Sequence, residues 1–389
     1  MPKTSESAQP VMVQVVPGVS HVDAAAWDRC AGDEDPFLSH ALLSAMEESG
    51  SAVAAEGWQA QHLVIEDEGG VVAVAPLYVK GHSYGEYVFD WSWAGAYRRA
   101  GRDYYPKLQC CVPFSPVGGK RLLVRPDADQ AKYQQILLGA MASLVDEHEL
   151  SSLHITFCDR ELYDRGGEMG LLQRIGVQYH WHNRGYTSFD DFLGALLGRK
   201  RKTLKAERRK ARESGVELAT LRGDDIKAEH WDAFYGFYLS TIDRKWASAN
   251  LTREVFHMLG ERLGERVVLI GAKSDGKLVA AALNLLGKKA LFGRYWGASE
   301  RHRFLHFECC YHLAIELAIE LGLERVEAGA QGQHKIQRGY LPVETYSLHL
   351  LRQPGFRDAV AEFLERERPA VRQDIELLLH ERPYAADRR

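Results

Sequence analysis

Apolar residues along the chain alternate or cluster in short runs broken by turn signals, a pattern that predicts strands interleaved with helices. Gln61 to Glu66 and Val71 to Lys80 read as strands joined by a turn at Asp67 to Gly70, with a third strand at Tyr87 to Trp93. The same order returns later: Val267 to Ala272, a turn at Ser274 to Gly276, then Lys277 to Leu286 and Ala290 to Trp296. Both third strands end in Trp followed by small residues, Trp93-Ala94-Gly95-Ala96 and Trp296-Gly297-Ala298-Ser299. Each half continues through a helix (Gln130 to Glu147, Phe307 to Leu321) into a short strand (Leu153 to Phe157, Arg325 to Ala328). From Tyr311, apolar residues fall at 311, 314, 315, 318 and 319, the spacing of a helix lying on a sheet. Strand, helix and strand in series require a crossover, so the expected class is α/β with mixed sheets, and the repeated order points to a divergent duplication.

Composition narrows the class. A chain of 389 residues suggests two domains, and 46% hydrophobic with 26% charged residues is the make-up of a soluble globular protein. Apolar runs such as Val71 to Val79 stop far short of the roughly 20 residues of a membrane span. MPKTSESAQP has no apolar core of a secretory signal, so the expected location is the cytoplasm. Six cysteines, among them the adjacent pairs Cys110-Cys111 and Cys309-Cys310, have neither C-x-x-C spacing nor a bridge framework and read as reduced thiols.

Charge is unevenly placed. Arg199 to Arg212 carries nine Lys or Arg and one acid, Glu207, so a chain of net charge -4 holds -12 outside that run. RKRKTLKAERRKAR lacks Pro and Gly and should be helical, stopping at Gly215, with Leu204, Ala206 and Ala211 toward a core. Such a run is either a solvated face or an anion site for a polyphosphate or an RNA backbone.

Candidate chemistry concentrates between Gly293 and Lys335. Glu327 closes the strand RVEAG, and Gln331, His334 and Lys335 follow in a loop that Gly329 and Gly332 can bend. His334 suits an acid or base near neutral pH, and Lys335 suits a phosphate or a carbonyl oxygen; a plain polar turn is the competing reading. His306 and Glu308 open the long helix, where free N–H groups favour an anion and where Glu308 alone would also stabilise the helix start. Arg294 and Tyr295 alternate on the preceding strand, so one of them at most should face a cleft. Asp90, Trp93 and Tyr105, with Tyr104 and Lys107, make an aromatic region beside a carboxylate suited to an amine-bearing acceptor. His302 and His306 lack a third ligand and H-E-x-x-H is absent, so no metal is expected.

The blocks RYWGAS, LHFECCYHLAIELAIELGLERVEAGAQGQHK and RGYLPVETYSLHL resemble the FemAB-like N-acyltransferases, labelled peptidoglycan biosynthesis or recognition proteins, of the GNAT superfamily. PFLSHALLSAMEESG and YYPKLQCCVPFSPVGG extend the resemblance over most of the chain. It implies two tandem GNAT-like domains, placed at 1–188 and 189–355 with a helical tail at 356–389, and acyl or aminoacyl transfer to an amine. Fem-type relatives draw on aminoacyl-tRNA and the wider superfamily on acyl-CoA; GASERHRFLH here lacks the glycines of a CoA pyrophosphate loop. On this reading His334, Glu308, Glu327 and His306 are catalytic candidates. Arg201, Lys205, Arg208, Gln331 and Lys335 face the donor, possible tRNA contacts lying on the basic helix. Asp90, Trp93, Tyr105, Arg294 and Tyr295 face the acceptor. The donor is a co-substrate and no tightly held cofactor is implied. A noncatalytic protein that recognises a cell-wall precursor or amino-acyl ligand is the alternative.

Overall fold

The computed structural model describes residues 11–244, 249–330 and 332–385. Eleven strands make one long sheet. Read from the edge belonging to the second half, they are Glu217–Arg222, Val267–Ser274, Lys277–Leu286, Ala290–Ala298, Arg325–Glu327, Leu172–His182, Leu341–Leu351, Ser152–Cys158, Lys107–Cys110, Leu77–Lys80 and Trp58–Ala60. Four others, Val13–Val16, His62–Asp67, Gly70–Ala75 and Leu123–Val124, form a small second sheet.

The two halves repeat one crossover. Lys107–Cys110 runs parallel to Ser152–Cys158 with helix Gln130–Glu147 between them in sequence, and Ala290–Ala298 runs parallel to Arg325–Glu327 with the helix from Leu305 to Glu320 between. Asp129 caps the first of these helices by accepting from the Lys132 amide at 3.0 Å. The second begins after Phe304 in a left-handed conformation (φ 66) and passes through a π turn at Glu308–His312 before its regular part, Leu313–Glu320.

Two sequence expectations are corrected. Tyr87 to Trp93 is not a strand: Trp91–Arg99 is a helix with Asp90 at its N-cap position, and the true counterpart of Ala290–Ala298 is Lys107–Cys110. Trp93 and Trp296 are therefore not equivalent positions. Val71 to Lys80 is two strands, because Pro76 has no N–H for a ladder; Gly70–Ala75 joins the small sheet and Leu77–Lys80 the large one.

Near their ends the halves trade strands. Leu172–His182, from the first half, lies beside Arg325–Glu327, while Leu341–Leu351, the last strand among the described residues, lies beside Ser152–Cys158. The two traded strands pair with each other from Leu341 opposite His180 to His349 opposite Leu172. On one face of the second half, Phe234, Phe256, Leu283 and Phe292 share a core with Leu42 and Trp27 of the first half; on the other, Leu291 and Val326 pack with Ile315, Leu305 and Leu204. Helix Pro354–His380 then runs back over the two traded strands, and Arg174 donates to Glu367 on it at 2.8 Å twice.

A histidine pair pins the seam. His154 and His349 are opposite each other and buried, with Nδ1 to Nδ1 at 2.7 Å, so one ring donates and the other accepts. Burial, with the nearby Lys107 charge, pushes His154 down to about 3; burial and His154 hold His349 well below its usual range. Unfolded histidines bind a proton near 6.5, so as pH falls below that value the unfolded chain binds more protons and stability drops. Denaturant titrations at pH 7.5 and 5 are expected to show a loss of about 2 kcal/mol per histidine that the double variant His154→Gln/His349→Gln lacks.

Candidate active site

The parallel pair of the second half stays together for only three residues. Ala290, Leu291 and Phe292 face Arg325, Val326 and Glu327, after which Ala290–Ala298 continues while the other chain turns away at Gly329 (φ 78). A wedge opens there. Gly332 (φ 117) precedes a short 3-10 turn, Gln333–Arg338, which places His334 and Lys335 beside the wedge.

Lys335 is buried, and its Nζ donates to the Gly329 carbonyl at 2.8 Å and lies 6.0 Å from the Tyr179 ring centroid. Among the described residues no carboxylate forms an ion pair with it. Burial pushes its pKa down to about 8. His334 Nε2 is 2.9 Å from the Tyr311 hydroxyl. Burial, with the Arg338 and Lys335 charges, holds the imidazole below its ordinary range and so neutral at pH 7.

A cavity of about 400 Å³ adjoins this turn where the traded strands meet. Tyr87 and Phe89 of the first half, Arg174, Gln178 and Tyr179 of one traded strand, Thr345 and Ser347 of the other, and Ala330 and Gly332 line it. Both halves thus contribute to one enclosure, and Tyr179 joins its wall to Lys335.

Arg294 and Tyr295, on the strand that continues past the wedge, do not line this cavity. The ladder to Lys277–Leu286 pairs Leu283 with Tyr295 and Asn284 with Gly293, skipping Arg294. This bulge breaks the alternation expected from sequence, and both side chains donate to one acceptor, the Phe114 carbonyl, Tyr295 at 3.2 Å.

The FemAB-like family, described as peptidoglycan biosynthesis/recognition, matches residues 18–386. The chain belongs to the FemAB-like family. Membership makes it a transferase of peptidoglycan biosynthesis or recognition, in the coarse sense the family carries. No curated protein matches it in sequence. Solved structures similar in fold include FemX, at 12% identity over 88% of this chain and 99% of that one (TM-score 0.56). The C-terminal domain of a putative lysylphosphatidylglycerol synthetase from Agrobacterium fabrum matches at 11% identity over 87% and 95% (TM-score 0.52). L-PGS from Bacillus licheniformis matches at 11% over 85% and 98% (TM-score 0.51). Identities this low speak for the fold alone.

In this FemAB-like protein the expected catalytic set is divided by the sheet. Val326 packs on the side of the helix from Leu305, so Glu327, the next residue, points to the other face. There it accepts from Arg325 at 2.8 Å and sits 3.7 Å from His180, its carboxyl raised by burial. His334 and Glu308 do not meet it. His306 rests against the rings of Trp296 and Tyr311, at 5.4 and 5.5 Å. Glu308 is fully buried and accepts from Arg208 at 3.0 Å, with Arg212 at 3.6 Å.

That ion pair also changes the basic helix, Gly198–Arg212. Arg208 bonds Glu308 and Glu316 and lies over Phe189, so it holds the fold together and offers no open charge to a donor. Lys205 is exposed, 3.5 Å from Asp190, while Arg201 and Lys202 form no ion pair among the described residues. Ala206 is half-buried and Glu207 takes the core-facing place beside Leu204 and Ala211. Gln331 lies outside the described residues.

Of the acceptor candidates of the first half, Asp90 and Trp93 are buried and Tyr105 is half-buried, and none of them lines the cavity. Asp90 accepts from Lys107 at 2.5 Å and from Tyr104 at 2.7 Å, and Lys107 also donates to Glu86 at 2.6 Å. The amine that Asp90 recognises is therefore the chain's own. Trp93 packs on His349 (5.0 Å) and Tyr105 bonds Ser83 at 2.8 Å, so neither lines the cavity. Arg174, Gln178 and Thr345, which do line it, gave no signal in sequence because their position follows from the trade of strands.

Proposed function

We propose that this FemAB-like protein transfers an aminoacyl group from aminoacyl-tRNA to an amine acceptor, working in the cytoplasm, with acyl-CoA as the competing donor. The observation that carries the reading is Lys335: a buried ammonium with no carboxylate partner among the described residues, at the open end of a parallel strand pair and behind Tyr179, which lines a cavity shared by both halves. A cation kept unneutralised in an apolar place is matched to negative charge that arrives with the substrate or develops on it.

Acyl transfer needs that match. A neutral amine attacks the carbonyl carbon, the C–N bond forms, and the carbonyl oxygen becomes an oxyanion that Lys335 stabilises. His334, neutral at pH 7, takes the proton from the new ammonium, and the bond to the leaving oxygen breaks as that oxygen regains a proton. The ester is already activated, so no covalent nucleophile is required. The acceptor enters by the cavity.

The basic helix favours RNA as the carrier. Its fifteen residues span about 22 Å, and the exposed Arg199, Lys202, Lys205 and Lys210 are distributed along that length. One pyrophosphate would occupy a fraction of it; a nucleic-acid backbone would use it all. Incubation with alanyl-tRNA or acetyl-CoA and a lysine-containing peptide, with mass spectrometry of the peptide, is expected to give an amide from the tRNA donor. An amide from acetyl-CoA alone overturns the choice of donor. None from either leaves a noncatalytic binding protein. In the tRNA case, Arg201→Ala/Lys205→Ala is expected to weaken binding and flatten the slope of log K against log salt by about 1–2.

A further inference from the structure

Glu207 is the one acid among the nine cations of the basic helix, and the transfer reaction does not use it. It is buried, while the adjacent Arg209 and Lys210 are exposed. Its carboxylate accepts from Arg338 twice, Nη2 at 2.7 Å and Nε at 3.1 Å, and lies 3.4 Å from Nε2 of the buried His312. Arg338 is itself buried and has one nitrogen left. That Nη1 donates to the carbonyl oxygen of His334 at 2.8 Å, and the guanidinium lies 3.5 Å from the centroid of Phe307.

The geometry points to Glu207 and Arg338 as positioning residues that hold the Gln333–Arg338 turn in place and, through the His334 carbonyl, set the direction in which Lys335 leaves the backbone. This rests on the reading of Lys335 as the group that meets the acyl oxygen. Neither residue touches substrate on this account. The chain runs from the carboxylate to the guanidinium, then to the His334 carbonyl and the next peptide unit, with Lys335 anchored at its far end on Gly329.

Stability alone does not explain the pair. Removing two charges from water costs several kcal/mol per ion, and apolar residues of similar volume commonly do as well or better. Two apolar side chains cannot, however, fix a carbonyl by a directed bond. Gly329 and Gly332 leave the loop free to bend on its N-terminal side, so a directed bond from the C-terminal side is what selects one arrangement. The lone acid in a cationic run follows: a basic residue at 207 would repel Arg338 and release the turn.

The double variant Glu207→Leu/Arg338→Leu in the full chain separates the two roles. Its thermal midpoint is expected to equal or exceed that of the parent. Amide hydrogen exchange, followed by mass spectrometry without any substrate, is expected to rise about tenfold over residues 332–340 and to stay unchanged in the strand 277–286. With alanyl-tRNA as donor, kcat is expected to fall on the order of tenfold to a hundredfold with KM unchanged. Glu207→Gln, which still offers Arg338 an oxygen, restores most of that loss. In a Lys335→Met background the double variant adds nothing further to the fall in kcat. Unchanged exchange over 332–340 overturns the proposal, and so does exchange rising along the whole chain with a lowered thermal midpoint. The reading of Lys335 fails separately, if Lys335→Met alone keeps full turnover.

Discussion

Lys107→Met is expected to cost about 3–5 kcal/mol, a large share of the stability of an ordinary domain. Lys107 has no solvent exposure, and its ammonium is the cation between Glu86 at 2.6 Å and Asp90 at 2.5 Å. Burial would raise the Asp90 pKa, but Lys107 and His154 outweigh it and bring the carboxyl down to about 2. Glu86 is pushed up to about 7 by burial against the pull of the same lysine. Methionine fills much of the lysine volume but leaves one or two carboxylates facing each other without a counter-charge. Protonating them to relieve that repulsion consumes the stability. Urea denaturation at pH 7.5 gives the loss, and Lys107→Met/Glu86→Gln/Asp90→Asn, which removes every charge of the cluster, is expected to recover most of it. A loss within 1 kcal/mol for the single variant, against the several expected of a broken buried pair, would show that the cluster is not needed as an ion pair.

Lys335→Met is expected to move activity and stability in opposite directions. A single donor aimed at a developing oxyanion is worth about 10²–10³ in kcat, and loss of Lys335 removes the ammonium nearest the proposed carbonyl. Folding pulls the other way. The folded pKa is about 8 and the unfolded value about 10.4, so below pH 8 both states carry the proton and the folded state bears the full cost of burying it. Between these values the unfolded chain binds more protons, and the stability of the parent rises with pH. The Met variant has no such term, so it is expected to be the more stable of the two at pH 7, with the difference shrinking toward pH 10. Turnover with alanyl-tRNA and denaturant titrations at pH 7 and 10 check both halves. A variant that loses stability at pH 7 together with turnover would mark Lys335 as a structural residue.

Much of the fold was legible because its signals are local. Lys277–Leu286 and Gln130–Glu147 have the bounds their patterns predict, and Gly215 stops the basic helix in a left-handed conformation (φ 82). The failures share a cause: what an apolar residue packs against is decided far away in sequence. Tyr87, Val88, Phe89, Trp91 and Trp93 have the composition of a strand, yet Phe89 and Trp91 are exposed and Trp93 is buried on a helix. Arg294 and Tyr295 alternate on paper and converge in the fold because one bulge shifts the register. The candidate site was legible as a loop with Gly, His and Lys at the end of a strand. Its division by the sheet was not, since Glu327 and His334 differ in facing by a single residue of strand phase at Val326. Glu207 looked like an interruption in a charge run, and only the position of Arg338 gives it a purpose.

The traded strands also bear on how the chain is made. Leu341–Leu351 leaves the ribosome well after Ser152–Cys158 and Leu172–His182, and it fills the place between them. Until it arrives, two long strands of the first half wait with open edges, the condition in which strands recruit the wrong partner. A nascent or truncated FemAB-like chain ending before residue 341 is a candidate for chaperone capture, and two fragments split near residue 188 would need each other to complete the long sheet. The arrival of this one strand closes the gap in the long sheet.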